Sequence, residues 1–227
     1  MAETALRTGV AERLRAVQAA IATACERASR DQASVRLIAV SKTFAAEAIA
    51  EAYAAGQRDF GENRVQEGLA KLPRIAELGL TEARVHLIGH LQRNKARHAG
   101  AFASVQSVDS VRLAQAISRR LDHPLPIMLE VNVASETSKD GFATTELERA
   151  LAEITDLPNL EVQGLMTVAP LVSDAEAVRP VFRELRLWRD RLGLEALSMG
   201  MSNDYAVAIE EGATMVRIGR AIFGERG

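Results

Sequence analysis

Lys42 follows an apolar, β-branched run (Val35–Val40), so its amine stands at the end of a candidate strand. An amine beside apolar walls loses part of its proton affinity, and a neutral amine attacks aldehydes to form imines. Two further clusters suit an anion. One apolar run, Ala196–Gly200, passes through a glycine into Ser202, a residue type that caps helices. Another, Met215–Gly219, ends in Gly219-Arg220, where glycine lets the backbone approach a ligand closely. An amine facing a phosphate cradle points to a phosphorylated carbonyl compound. Two fit: a sugar phosphate held as in a class I aldolase, or pyridoxal phosphate. Arg217 lies inside the last apolar run and needs a partner there, either a buried acid or a ligand acceptor such as a pyridine nitrogen.

The elements that must position these groups are read from hydrophobic rhythm. A helix is expected up to about Arg30, because Leu6, Val10, Leu14, Val17, Ile21 and Ala24 recur every three or four residues. Eight strand candidates follow: 35–40, 58–61, 85–89, 104–108, 127–133, 160–167, 196–200 and 215–219. Helix-like stretches lie between them at 45–55, 65–78, 92–99, 111–121, 145–154, 174–192 and 202–211. Strands alternating with helices give a parallel sheet with right-handed crossovers. Eight of them in 227 residues predict a closed (β/α)8 TIM barrel, of α/β class, preceded by a helix over residues 1–30. An open doubly wound sheet is the alternative, but no Gly-x-Gly-x-x-Gly follows the first strand. In such a barrel the active face lies at the C-terminal strand ends, and the loops after strands seven and eight commonly hold phosphate. All the groups singled out above fall there.

Composition narrows the function. Lys+Arg number 28 and Asp+Glu 30, a net charge of −2, which excludes a general nucleic-acid or membrane-surface role. Aromatic residues are only 4%, so the core is aliphatic. A single cysteine, Cys25, supplies neither an internal disulfide nor a multi-thiolate zinc site. The N-terminus lacks an apolar signal core, and no charge-free run reaches the roughly 18 residues of a membrane span. A cytoplasmic protein of one domain, a monomer, is expected.

Other chemistry-bearing residues are assigned to structure. His86 and His90 are separated by Gly89 and do not share a helix face, and no carboxylate completes a metal triad at recognisable spacing. His86 is read as packed, with His98 and His123 at the surface. Met166, Met199 and Met201 read as gap-filling core residues. The stretch Arg183–Arg191 reads as a solvated helix face.

Five ordered blocks resemble signature segments of the pyridoxal phosphate homeostasis protein family. They are Leu37-Ile-Ala-Val-Ser-Lys42, Phe60-Gly-Glu-Asn63-Arg-Val-Gln-Glu67, His86-Leu-Ile-Gly-His-Leu-Gln-Arg-Asn-Lys95, Leu197-Ser-Met-Gly-Met-Ser-Asn-Asp204 and Val216-Arg-Ile-Gly-Arg-Ala-Ile-Phe-Gly224. The resemblance runs from about residue 35 to the C-terminus. It implies a barrel of the alanine racemase type that carries pyridoxal 5'-phosphate, with Lys42 as the Schiff-base lysine. It further implies that Ser202 and the Gly219 and Arg220 amides hold the phosphate. Arg217 would face the pyridine nitrogen, Asn63 the ring substituents, and Met166 would pack beside the ring. Departures are confined to the rim: Phe44-Ala45 stands where many members have Lys-Pro, and Arg64 where tyrosine is frequent.

The function implied is cofactor homeostasis: binding, storing or delivering pyridoxal phosphate to dependent apo-enzymes, without established turnover. The alternative is an amino-acid racemase or lyase. Two-base racemisation needs an acid/base group on each face of the substrate. In alanine racemases the second is a tyrosine from a further domain of a partner chain. The tyrosines here, Tyr53 and Tyr205, fall on barrel helices and are not expected to serve.

Overall fold

Most strands are short and rich in apolar residues, and along each one alternate residues face opposite sides that meet different surroundings. On β1 (Arg36–Val40), Ile38 joins Met128, Met166, Ala196 and Met215 in a small apolar cluster, whereas Ala39 belongs to the large cluster shared with the helices. The small cluster is the barrel interior. The remaining strands are β2 (Asp59–Glu62), β3 (Arg84–Leu87), β4 (Ser104–Val108), β5 (Leu125–Glu130), β6 (Leu160–Met166), β7 (Ala196–Ser198) and β8 (Met215–Ile218). In this computed structural model, which describes residues 9–134, 136 and 140–225, all eight are parallel and close in the order β1 to β8. The closed barrel, rather than the open sheet, is the outcome. Leu6 and Lys139 lie outside the described residues.

Closure depends on two glycines whose missing side chains leave room inside. A Cβ at Gly61 would meet Ile88 Cδ1 at 2.9 Å and Ile38 Cγ2 at 3.0 Å. A Cβ at Gly164 would lie 2.0 Å from the Ala196 carbonyl oxygen, so β6 and β7 approach this closely only because residue 164 is glycine.

Helix α1 (Val10–Arg27) buries Leu14, Val17, Ile21 and Ala24 and packs against α2 (Ala46–Ala54), α7 (Tyr205–Glu210) and α8 (Arg220–Phe223). Arg13 Nε donates to the Ile222 carbonyl at 2.7 Å, which ties this helix to the segment after β8. The other helices are α3 (Val65–Glu77), α4 (Val111–Ser118), α5 (Leu147–Thr155) and α6 (Arg179–Arg191). Two expectations change. The 92–99 stretch forms a 3-10 helix, Arg93–Ala101, and the helix expected from Ser202 begins only at Tyr205. Gly200, at φ +91°, starts a turn in which the amides of both Asp204 and Tyr205 donate to the Met201 carbonyl. Asp204 takes the N-cap place and its Oδ1 accepts from the Met201 amide at 2.6 Å. Ser202 is therefore a turn residue and not the cap.

Candidate functional site

The residues singled out in the sequence collect at the C-terminal mouth of the barrel. Lys42 follows β1, Asn63 follows β2, Met166 ends β6, Ser202 follows β7, and Arg217, Gly219 and Arg220 end or follow β8. β1 pairs with β8, Ala39 beside Ile218, so the Lys42 turn and the Gly219-Arg220 loop are neighbours. A Cβ at Gly219 would sit 3.1 Å from the Val40 carbonyl oxygen, so the two backbones almost touch. Asn63 is placed in the same way: its carbonyl oxygen is 2.3 Å from where a Gly89 Cβ would stand.

Among the described residues, no carbonyl accepts from the backbone amides of Ser202, Asn203, Gly219 or Arg220. Unbonded amides at two adjacent strand ends form a donor set, and buried or half-buried donors require an acceptor. Ser202 and Gly219 are half-buried, and Arg220 is exposed. This donor set fits a phosphate. Lys42 is half-buried beside it.

Arg217 is 4% exposed and points along the interior. Its Nη1 donates to Ser198 Oγ at 2.5 Å and its Nη2 to the Thr167 carbonyl at 2.7 Å. Ser198 in turn donates to Gln106 Oε1 at 2.7 Å. Burial pulls the Arg217 pKa down to about 10, against the pull of Glu130 and Asp204, and the guanidinium stays charged at neutral pH. No carboxylate forms an ion pair with Arg217 within 4.0 Å among the described residues, so its partners are neutral oxygens. Glu130, at the end of β5, is pushed up to about 7 by burial, with Asp109 and Asp140 adding to the rise and Arg217 and His90 opposing it. Met166 is fully buried in the barrel interior, as a core methionine would be.

His86 is packed, as read from the sequence. Its Nε2 lies 2.9 Å from Asp59 Oδ1 and its Nδ1 2.7 Å from Ser104 Oγ, all three residues being buried. His98 is half-buried and His123 exposed. His90 does acquire carboxylate neighbours: its Nδ1 is 3.2 Å from both Asp109 Oδ2 and Asp140 Oδ2. Sequence spacing could not show this grouping, because its members come from three separate loops. The side chains of His90 and Asp140 are about half exposed, and the imidazole stands within hydrogen-bond distance of both carboxylates.

Sequence reasoning missed the groups that surround the Lys42 turn. Glu62, fully buried at the end of β2, accepts from Ser41 Oγ at 2.7 Å and from Lys71 Nζ at 2.7 Å. Burial pushes its pKa up, against Lys71 and Ser41. A signal was present: a carboxylate within the apolar Phe60-Gly-Glu segment needs a cation, and Glu67 and Lys71 stand four apart on one helix face. Gln106 and Ser198 carried no comparable signal. A cavity of about 630 Å³ opens at the opposite end of the barrel, by Arg36, Val162, Glu195 and Thr214. The N-terminal face of such barrels serves stability, and the chemistry-bearing residues are at the other end.

The model of the alanine racemase N-terminal domain family matches residues 13–227. A protein of Pseudomonas aeruginosa named pyridoxal phosphate homeostasis protein is 45% identical over 223 residues, covering 96% of both chains. One of the same name from Aquifex aeolicus is 43% identical, over 95% of this chain and 97% of that one. The solved structure of PipY from Synechococcus elongatus, described as having PLP bound, superposes with a TM-score of 0.82 at 38% identity, over 95% of this chain and 100% of that one. PipY shares the fold and all three relatives match nearly the full length of the chain, which belongs to the pyridoxal phosphate homeostasis protein family, built on the alanine racemase N-terminal domain.

Proposed function

We propose that this protein binds pyridoxal 5'-phosphate at the C-terminal mouth of the barrel and serves its homeostasis, by holding the cofactor and passing it to dependent apo-enzymes. The observation that carries the reading is the set of unbonded amides after β7 and β8 beside the Lys42 turn. The relatives' names and the cofactor in PipY support the same ligand.

When bound, the cofactor supplies an aldehyde that condenses with a lysine amine and loses water. The protein's own groups do the rest. The Ser202 hydroxyl and the amides of Ser202, Asn203, Gly219 and Arg220 donate to the phosphate, which fixes one end of the ligand. Lys42 supplies the amine at the neighbouring strand end. Arg217, clamped by Ser198 and Thr167, presents a permanent donor to the ring nitrogen and keeps it unprotonated, which suits holding the cofactor better than using it as an electron sink. Asn63 and Met166 border the ring. Among the described residues no helix is long and apolar enough to cross a membrane.

The test is an absorbance spectrum of the purified protein mixed with pyridoxal phosphate, then borohydride reduction and peptide mapping. The reduced adduct is expected on Lys42, and Lys42→Ala should abolish it while leaving the fold intact. An adduct found mainly on Lys95 or Lys139 would overturn the assignment.

A further inference from the structure

The backbone on either side of Lys42 is held by a charged group that lies outside the barrel mouth. Ser41 donates its amide to the Gly61 carbonyl at 3.0 Å and its hydroxyl to Glu62 Oε1 at 2.7 Å. Its carbonyl accepts from the Phe44 amide at 3.1 Å, closing a four-residue turn with Lys42 and Thr43 at its centre. Thr43 has φ +70°, a left-handed conformation that β-branched residues rarely adopt and that turns of this kind ordinarily give to glycine. Its amide donates to the Glu67 carboxylate. Something must hold this residue against its own preference.

Lys71, on α3, supplies the hold. Its ammonium has three donors, and three acceptors meet them: the Ser41 carbonyl at 2.9 Å, Glu62 Oε1 at 2.7 Å and Glu67 Oε1 at 2.8 Å. The side chain of Lys71 is 11% exposed and that of Glu62 is 0% exposed. One cation thus joins β2, α3 and the loop after β1. It fixes Ser41 directly and fixes Thr43 through Glu67. With all three protons engaged, this lysine is a fastening point and not a second amine for an aldehyde.

We propose that Lys71, with Glu62 and Glu67, is a positioning residue that locks the strained Ser41–Phe44 turn and so sets the direction in which Lys42 meets the cofactor. This rests on the reading of Lys42 as the imine-forming lysine. Removing Lys71 leaves two carboxylates without their cation and lets Thr43 relax toward an ordinary φ, which moves the backbone carrying Lys42. Misplacing a reacting group by about an ångström weakens its reaction by up to roughly a hundredfold.

The experiment compares wild type, Lys71→Met, Glu67→Gln, and Lys71→Met combined with Thr43→Gly. Two readouts are taken: hydrogen exchange of the 42–44 amides without ligand, and the equilibrium and rate of imine formation with pyridoxal phosphate, followed by absorbance and borohydride mapping. Lys71→Met should speed exchange at 42–44 by at least about tenfold and weaken imine formation by roughly ten- to a hundredfold. Glu67→Gln should do both to a smaller degree. Thr43→Gly, which accepts the left-handed conformation freely, should restore part of the imine formation lost in Lys71→Met. Unchanged exchange and unchanged imine formation in Lys71→Met would overturn the proposal, as would a loss that Thr43→Gly does not reduce. Should Lys71→Met fail to fold, Glu67→Gln decides by the same two readouts, and wild-type behaviour in both overturns the proposal. A wild-type adduct on another lysine defeats the functional reading instead, and the exchange measurement still decides whether Lys71 locks the turn.

Discussion

Arg217 and Ser198 meet across the β7–β8 joint, guanidinium to hydroxyl, at 2.5 Å. Because the serine gives its own proton to Gln106, it can only accept from the arginine, and the direction of the chain Arg217 to Ser198 to Gln106 is fixed. Ser198→Ala leaves a buried guanidinium N–H and a buried amide oxygen unpaired together. The expected loss is about 1–3 kcal/mol, measured by urea unfolding. Adding Gln106→Leu should cost less than its effect alone, since the amide has already lost its donor.

Arg217→Glu replaces a permanent donor with an acceptor. A ring nitrogen facing it gains proton affinity, and the absorbance of bound pyridoxal phosphate should shift and become pH-dependent. A spectrum identical to wild type at every pH assigns Arg217 a purely structural job.

Glu130 makes stability depend on pH. Burial raises its pKa from 4.5 to about 7 in the folded protein. Between those values the folded state keeps a proton that the unfolded chain has released, so stability falls as pH rises, by at most about 1.4 kcal/mol per pH unit. Glu130→Gln cannot titrate. Its stability advantage over wild type should therefore grow from pH 4.5 to 7 and then level off, as read from denaturant midpoints.

The phosphate should supply much of the affinity. Charge-assisted hydrogen bonds contribute about 1.5–3 kcal/mol each, so pyridoxal without its phosphate should bind at least tenfold more weakly. Ser202→Asp sets a like charge against the dianion and should weaken the phosphorylated ligand selectively. Calorimetry with both ligands checks this, and equal affinities would remove the cradle.

Gly164→Ala is expected to be among the most damaging single-methyl changes available. The new Cβ would lie 2.0 Å from a backbone oxygen of β7, which has no flexible end to move aside. A loss of several kcal/mol, or failure to fold, should follow, whereas alanine at exposed Gly9, with nothing within 4 Å, should be nearly neutral.

Much of the fold can be read from the chain because the strands are buried and most are rich in apolar residues. Ser104–Val108 matches the expectation to the residue, and the other strands differ by only a few positions at their ends. The helix expected after β7 is longer than the one observed, since Ser202 has the chemistry of a cap and only the turn begun by Gly200 moves that place to Asp204. The candidate site divides in the same way. Lys42, Arg217 and Gly219 were visible because each interrupts or ends a hydrophobic run. Glu62 and Lys71 left a local trace, a carboxylate beside an apolar pair and a Glu-Lys spacing of four, whereas Gln106 and Ser198 meet from strands far apart in sequence, and local pattern carries no record of which strand lies beside which.

β7 contributes only Ala196–Ser198, and it aligns with β8 at a single residue pair, Ser198 beside Met215. Side chains complete the joint: Thr214 Oγ1 accepts from the Leu197 amide at 2.8 Å, and Arg217 reaches across to Ser198. The unbonded amides of Ser202 and Gly219 sit on opposite banks of this shortest joint in the wall. An anion gripped from both banks acts as a rivet, and the strength of the barrel wall becomes tied to whether the guest is present.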